Sequence, residues 1–277
     1  MAMLGYKILS ESKTISHKKK VIVMLHGLGG GYANWYGQIH ALRAHYDLVL
    51  IELPSHGRSP LKLSEMEISY KNVCEKIMEV VDHLGIKKAH YIGVSLGTTL
   101  VKYIAMHYPE RVSKYILAGP IGNFNFLLRM AIGTIRWMLP VMPMKLVLVL
   151  LITFLMPFKA SQTCRRMFAQ TAKRLSNKES VAYAKLLLEF KAVQDEYTAT
   201  MGEEPNGMYM VGELDHFFLL LQKKEGRPIR NMVLIPNAGH VCITDQANVC
   251  NNHMLSFLAT GMVCNEATET TTRLRII

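Results

Sequence analysis

Gly93-Val94-Ser95-Leu96-Gly97 is a Gly-x-Ser-x-Gly sequence lying between an apolar run (89–94) and a helix-like stretch (96–107). In that setting the spacing means a sharp strand-to-helix turn that pushes the serine hydroxyl out at the end of a strand. The glycines stand where a side chain would collide with neighbouring backbone. A serine hydroxyl is a weak nucleophile at neutral pH and needs a base within hydrogen-bond reach. That base needs a carboxylate to fix its tautomer and to stabilise the imidazolium. Of the 11 histidines, His240 fits the base best, in a Gly-containing turn just past a late apolar run. Asp215 follows the preceding apolar run in Gly212-Glu213-Leu214-Asp215, with Glu213 as the rival acid; the adjacent His216 reads as a loop histidine. The order Ser95, Asp215, His240 is that of an acyl-transfer site built on a strand–turn–helix elbow.

Acyl transfer also needs donors for the oxyanion. His26-Gly27-Leu28-Gly29-Gly30 follows the first long apolar run, and its glycines let the backbone approach a ligand closely. The backbone N–H groups of Leu28 and of Leu96, the residue after the nucleophile, are the candidate oxyanion hole. A phosphate loop is the competing reading, but the Gly-Lys-Ser/Thr ending and the Gly-x-Gly-x-x-Gly spacing are both missing.

The elements that must position these residues follow from the pattern. Runs at 21–25, 48–53, 89–94, 112–118, 208–212 and 232–235 are apolar throughout, as buried strands are. Between them lie helical patterns. Trp35, Ile39 and Leu42 have helix spacing, and so do Val73, Ile77, Val80 and Leu84, with Ser69 placed to cap the start and Gly85 the end. A final helix is expected over about 244–258. Such alternation predicts an α/β fold, with a mostly parallel central sheet covered by helices on both faces. The alternation breaks at Pro120 and resumes near residue 207. One core domain (residues 1–119 and 207–264) is therefore expected, interrupted by a mostly helical insertion (120–206) and followed by a loose tail (265–277).

With 277 residues and half of them hydrophobic, the chain can bury a large core, which excludes a disordered chain. Five scattered cysteines fit reduced thiols in a cytoplasmic protein better than a disulfide framework. No Cys-x-x-Cys or His-Glu-x-x-His occurs, and no metal or other cofactor is expected. The uncharged run 146–156 is too short to span a bilayer, which takes ~20 residues. Residues 1–16 carry no long apolar run, so no secretory signal is expected.

The net charge of +11 is concentrated: residues 120–178 hold nine Lys or Arg and no Asp or Glu. That stretch is also the most apolar, which argues against a nucleic-acid surface. It fits a lid over an acyl pocket, or a face meeting anionic lipid, with a peripheral membrane location as a corollary.

Taken with Pro54-Ser55-His56-Gly57-Arg58-Ser59, the elbow, His26-Gly27, Asp215 and His240 make nearly the whole chain resemble a serine hydrolase of the α/β-hydrolase fold superfamily. The resemblance is to the branch with a helical cap between strands 6 and 7, which includes carboxylesterases, monoacylglycerol lipases, thioesterases, carbon–carbon bond hydrolases and cofactor-free haloperoxidases. It implies a Ser95–His240–Asp215 triad. Glu52 stands where the family often has Asp, and Gly97-Thr98 where it often has a glycine pair. Ser95 argues against the epoxide and carbon–halogen chemistries, which use Asp as nucleophile. A metal at His26 and His56 competes with their holding backbone groups, the usual role of such turn histidines in the family.

In the cap, Phe126, Met130, Trp137 and Met138 are the candidate substrate-binding side chains, since flexible Met suits an irregular apolar pocket; the same residues could instead form the cap's own core. The expected activity is hydrolysis of an apolar carboxylic ester, of the carboxylesterase or monoacylglycerol lipase type. Two other classes stay open: a hydrolase-fold signalling or binding protein that holds a hydrophobic ligand, and a membrane-surface interaction protein.

Overall fold

The computed structural model describes residues 3–11, 14–15, 18–121, 146, 162, 165–166, 169–170, 175–201, 206–215 and 231–263. Among the described residues seven strands form one sheet: β1 (Gly5–Leu9), β2 (Val21–Leu25), β3 (Asp47–Glu52), β4 (Ala89–Val94), β5 (Val112–Ala118), β6 (Gly207–Gly212) and β7 (Met232–Ile235). Their order is β1-β3-β2-β4-β5-β6-β7. Only β1 runs antiparallel; every other pairing is parallel. The sequence pattern does not announce β1. It is a partly exposed edge strand, and its mixed residues lack the continuous apolar run that marks a strand buried on both sides.

Side chains of successive strand residues enter opposite layers. Val21, Val23 and Leu25 join one apolar cluster, while Ile22 and Met24 join the other. The first layer is closed by α2 (Tyr70–His83), α3 (Leu96–His107) and α4 (Asn177–Thr200). The second is closed by α1 (Tyr36–Arg43), the short α5 (Cys242–Asp245) and α6 (Ala247–Thr260). Each large side chain so buried contributes about 1.5–3 kcal/mol.

Local signals set the ends of α2. Ser69 Oγ accepts the Asn72 N–H at 3.1 Å, and Gly85 (φ 66°) closes the C-terminus. There the Gly85 N–H bonds the Asp82 carbonyl and the Ile86 N–H bonds that of Val81, a Schellman arrangement. The expected last helix is divided into α5 and α6 at Gln246.

The stretch between residues 119 and 206 joins the fifth and sixth strands of this sheet, one fewer than the expected count. Within it, α4 packs on α2, α3 and a 3₁₀ turn at Leu63–Glu65 of the core domain, burying Tyr183, Leu186, Phe190 and Val193. Phe126, Met130, Trp137, Met138, residues 147–156 and the tail at 265–277 lie outside the described residues.

Candidate active site

The candidate triad and oxyanion residues follow the C-terminal ends of parallel strands, so the sheet carries them to one edge. Ser95 sits between β4 and α3 with φ 52° and ψ −118°, a backbone conformation rare for a residue with a side chain. The flanking glycines make the turn possible. A Cβ on Gly93 would lie 2.4 Å from the Gly97 carbonyl oxygen, and one on Gly97 would lie 2.1 Å from that of Leu25. The Ser95 N–H is tied to the Ala118 carbonyl at the end of β5 (3.1 Å).

Past β6 the chain turns at once, with the Asp215 N–H bonding the Gly212 carbonyl (2.9 Å). Past β7, residues 236–240 fold back against that turn, and the Leu214 N–H bonds the Ala238 carbonyl (2.9 Å). Gly212 allows the approach, since a Cβ there would stand 2.1 Å from the Gly239 carbonyl oxygen. The two loops bring Asp215 Oδ2 to 2.9 Å from His240 Nδ1, and His240 Nε2 to 3.0 Å from Ser95 Oγ. With Nδ1–H donating to the carboxylate, Nε2 is free to accept from the serine hydroxyl. The structure thus brings Ser95, His240 and Asp215 together in hydrogen-bond order. Glu213 is exposed and turned instead to the Asn237 N–H (3.2 Å). His216 lies outside the described residues.

Burial by itself would push the His240 imidazolium down. The Asp215 carboxylate, through its charge and its hydrogen bond, together with Asp245, outweighs burial and leaves the ring above its ordinary value. Asp245, on α5, also holds the loop, because its Oδ2 accepts the Gly239 N–H at 2.9 Å. The sequence reading missed it, although an acid five residues past the candidate base was there to see.

The turn after β2 lies over the nucleophile. A Cβ on Gly27 would be 3.0 Å from Ser95 Cβ and 3.6 Å from its Oγ. Leu28 follows Gly27 in that turn, and Leu96 opens α3 directly after Ser95, so each candidate donor belongs to the residue next to one partner of the Gly27–Ser95 contact.

His26 and His56 are buried, with ring centroids 5.0 Å apart. Each is occupied at both nitrogens. His26 Nδ1 meets the Gly27 carbonyl (2.8 Å) and Nε2 accepts the Leu53 N–H (3.1 Å). His56 Nδ1 meets the Pro54 carbonyl (2.9 Å) and Nε2 accepts the Gly29 N–H (2.9 Å). Burial first, then the neighbouring His56, pushes His26 down to about 3; burial pushes His56 down to about 4. Both rings are neutral across the physiological range. Among the described residues no group of three His, Cys, Asp or Glu side chains could hold a metal ion. Nor is any described helix long and apolar enough to cross a membrane.

Glu52, longer than the Asp common at its position, reaches over Gly57 and accepts the Arg58 N–H. Two further residues escaped the sequence reading. Tyr183 and Glu179, on α4, dock on the loop that carries His56. The Tyr183 hydroxyl donates to the Pro54 carbonyl (2.6 Å), and the Glu179 carboxylate accepts from Ser55 and Ser64. They lie more than 100 residues away in the chain, and no local pattern signals the contact.

A protein-family model described as alpha/beta hydrolase fold matches residues 20–143. A 2-hydroxy-6-oxononadienedioate/2-hydroxy-6-oxononatrienedioate hydrolase of Comamonas testosteroni is 35% identical over 112 residues, 39% of this chain and 39% of that one. The dihydrolipoyllysine-residue acetyltransferase component of an acetoin cleaving system, from Pseudomonas putida, is 25% identical over 248 residues, covering 86% of this chain and 63% of the relative. The chain thus spans less than two thirds of either curated relative. Among solved structures, MGS-M2, an alpha/beta hydrolase enzyme from a Medee basin deep-sea metagenome library, superposes with a TM-score of 0.76 at 17% identity, covering 95% of this chain and 96% of that one.

Proposed function

We propose that the chain is a serine hydrolase of the α/β-hydrolase fold superfamily, cleaving an apolar carboxylic ester through an acyl-enzyme. One observation carries the reading: the hydroxyl, imidazole and carboxylate of Ser95, His240 and Asp215 lie in line at 3.0 and 2.9 Å, on a serine held in a strained turn.

In the proposed reaction Ser95 Oγ attacks the carbonyl carbon as His240 Nε2 takes its proton. Asp215 holds the ring and stabilises the imidazolium. The carbonyl oxygen becomes an oxyanion facing the Leu28 and Leu96 N–H groups, each such donor being worth about 3 kcal/mol in the transition state. His240 then returns the proton to the leaving alcohol, and water releases the acyl group by the same route.

The Comamonas relative, a 2-hydroxy-6-oxononadienedioate/2-hydroxy-6-oxononatrienedioate hydrolase, favours a second reading with the same nucleophile and base but a 2-hydroxy-6-oxo-dienoate as substrate. A panel of p-nitrophenyl esters from acetyl to octanoyl, assayed beside such a dienoate, separates the two. Turnover rising with acyl length supports the ester reading. Turnover of the dienoate alone overturns it in favour of the second.

A further inference from the structure

Leu28 is held on both sides by buried histidines from two different loops. Gly27 to Gly30 form a turn closed by the Gly30 N–H on the Gly27 carbonyl (2.9 Å), with Gly29 in the left-handed region at φ 72°. The same Gly27 oxygen lies 2.8 Å from His26 Nδ1. Because His26 Nε2 accepts the Leu53 N–H, the neutral ring must carry its proton on Nδ1 and donate it to that oxygen. A planar trans peptide points its C=O and N–H in opposite directions. Two donors on the Gly27 oxygen therefore fix the direction of the Leu28 N–H, and by polarising the peptide they strengthen it as a donor. On the other side of Leu28, the Gly29 N–H is fixed on His56 Nε2 (2.9 Å).

His56 is held in turn from α4. Its Nδ1–H and the Tyr183 hydroxyl share the Pro54 carbonyl, at 2.9 and 2.6 Å. The Tyr183 ring stands edge-on to the imidazole, with centroids 5.0 Å apart at 86°. Glu179, one turn earlier on α4, takes the hydroxyls of Ser55 and Ser64 from the same loop. A continuous set of hydrogen bonds thus runs from α4 through His56 to the turn over Ser95.

We propose that His26 and His56 are positioning residues that aim the Leu28 N–H at the reacting carbonyl oxygen, and that Tyr183 couples α4 to this aim through His56. The proposal rests on the hydrolase reading for its kinetic consequence. It does not rest on it for its geometry.

The test pairs disruptive with conservative variants. His26→Leu and His56→Leu remove the bonds. His26→Asn keeps a donor near the Nδ1 position, His56→Gln keeps an acceptor near Nε2, and Tyr183→Phe removes only a hydroxyl. On p-nitrophenyl butyrate the leucine variants should lose roughly 10- to 100-fold in kcat, short of the ~10²–10³ for deleting a donor outright. KM should stay nearly unchanged. Affinity for a trifluoromethyl ketone, whose adduct carries the oxyanion, should fall by the same factor as kcat. Tyr183→Phe should lower kcat about fivefold, and the Asn and Gln variants should recover most of the loss.

Unchanged kcat in every folded variant overturns the proposal, as does equal damage from Leu and its conservative partner. If the leucine variants do not fold, the other three decide. Amide hydrogen exchange supplies a readout free of turnover: Gly29 should exchange slowly in the wild type and in His56→Gln, and fast in Tyr183→Phe and His56→Leu. Should the wild type hydrolyse nothing while Gly29 behaves so, the hydrolase reading fails and the positioning stands. Identical Gly29 exchange in all of them removes the positioning.

Discussion

Gly97 places its Cα against the Leu25 carbonyl so closely that an added Cβ would sit 2.1 Å from that oxygen and 2.9 Å from the His26 carbonyl oxygen. Both obstacles are backbone, at the end of β2 and the first residue of the candidate oxyanion turn, so neither can swing aside. Gly97→Ala must therefore push α3 and its serine away from β2. The expected result is a loss of about 1–3 kcal/mol in denaturant stability. Ester turnover should fall by about 100-fold, as for an ångström-scale misplacement of a reacting group. Chemical denaturation and kcat measured on the same preparation check it.

Asp215 holds the proton of His240 on Nδ1. Asp215→Asn keeps the shape but offers an amide that can force the wrong tautomer, and kcat should drop by about 10⁴. Glu213→Gln, on an exposed side chain directed at Asn237, should leave kcat near that of the wild type. A larger effect from Glu213→Gln than from Asp215→Asn would exchange the roles of the two acids.

The acid limb of kcat/KM should report His240. The base works only when neutral, so activity falls as pH drops through its pKa, and that pKa lies above the ordinary 6.5. Burial opposes the upward shift while Asp215 and then Asp245 supply it. Asp245→Asn should therefore move the limb toward lower pH, because a carboxylate that favours the imidazolium is gone. A pH–rate profile of both proteins checks the direction.

Acid stability should be governed in part by His26 and His56. Both rings titrate near 6.5 in the unfolded chain but at about 3 and about 4 when folded, so between those values the unfolded state binds more protons. Their contribution is complete above pH 6.5 and is lost as pH falls toward the folded values. Unfolding free energy should thus decline with acidification below about pH 6.5, and His56→Gln should flatten the slope by up to one proton. Denaturation midpoints measured from pH 7 to 4 decide it.

The α/β class, six of the seven strands and the Ser95, Asp215 and His240 trio were legible in the sequence because each has a local cause. Strands buried on both faces need unbroken apolar runs, an elbow needs glycines at fixed offsets, and residues that follow parallel strands meet at one edge. Gly5–Leu9 was not legible, since an edge strand exposed on one side has mixed chemistry. Tyr183 and Glu179 were hidden for another reason. Their partners Pro54, Ser55 and Ser64 are brought to them only by the packing of α4 on the core, and a hydroxyl meeting a carbonyl leaves no spacing to read. Asp245 lies between these cases, close in sequence to His240 but meaningful only once the Gly239 N–H points at it.

The most direct measurement is covalent labelling by a fluorophosphonate probe, read by intact mass and peptide mapping, on the wild type and Ser95→Ala, with ester turnover followed in parallel. The account predicts a single adduct on Ser95 in the wild type, and neither adduct nor turnover in the variant, with the fold unchanged by circular dichroism. Labelling or turnover that persists in Ser95→Ala would contradict it.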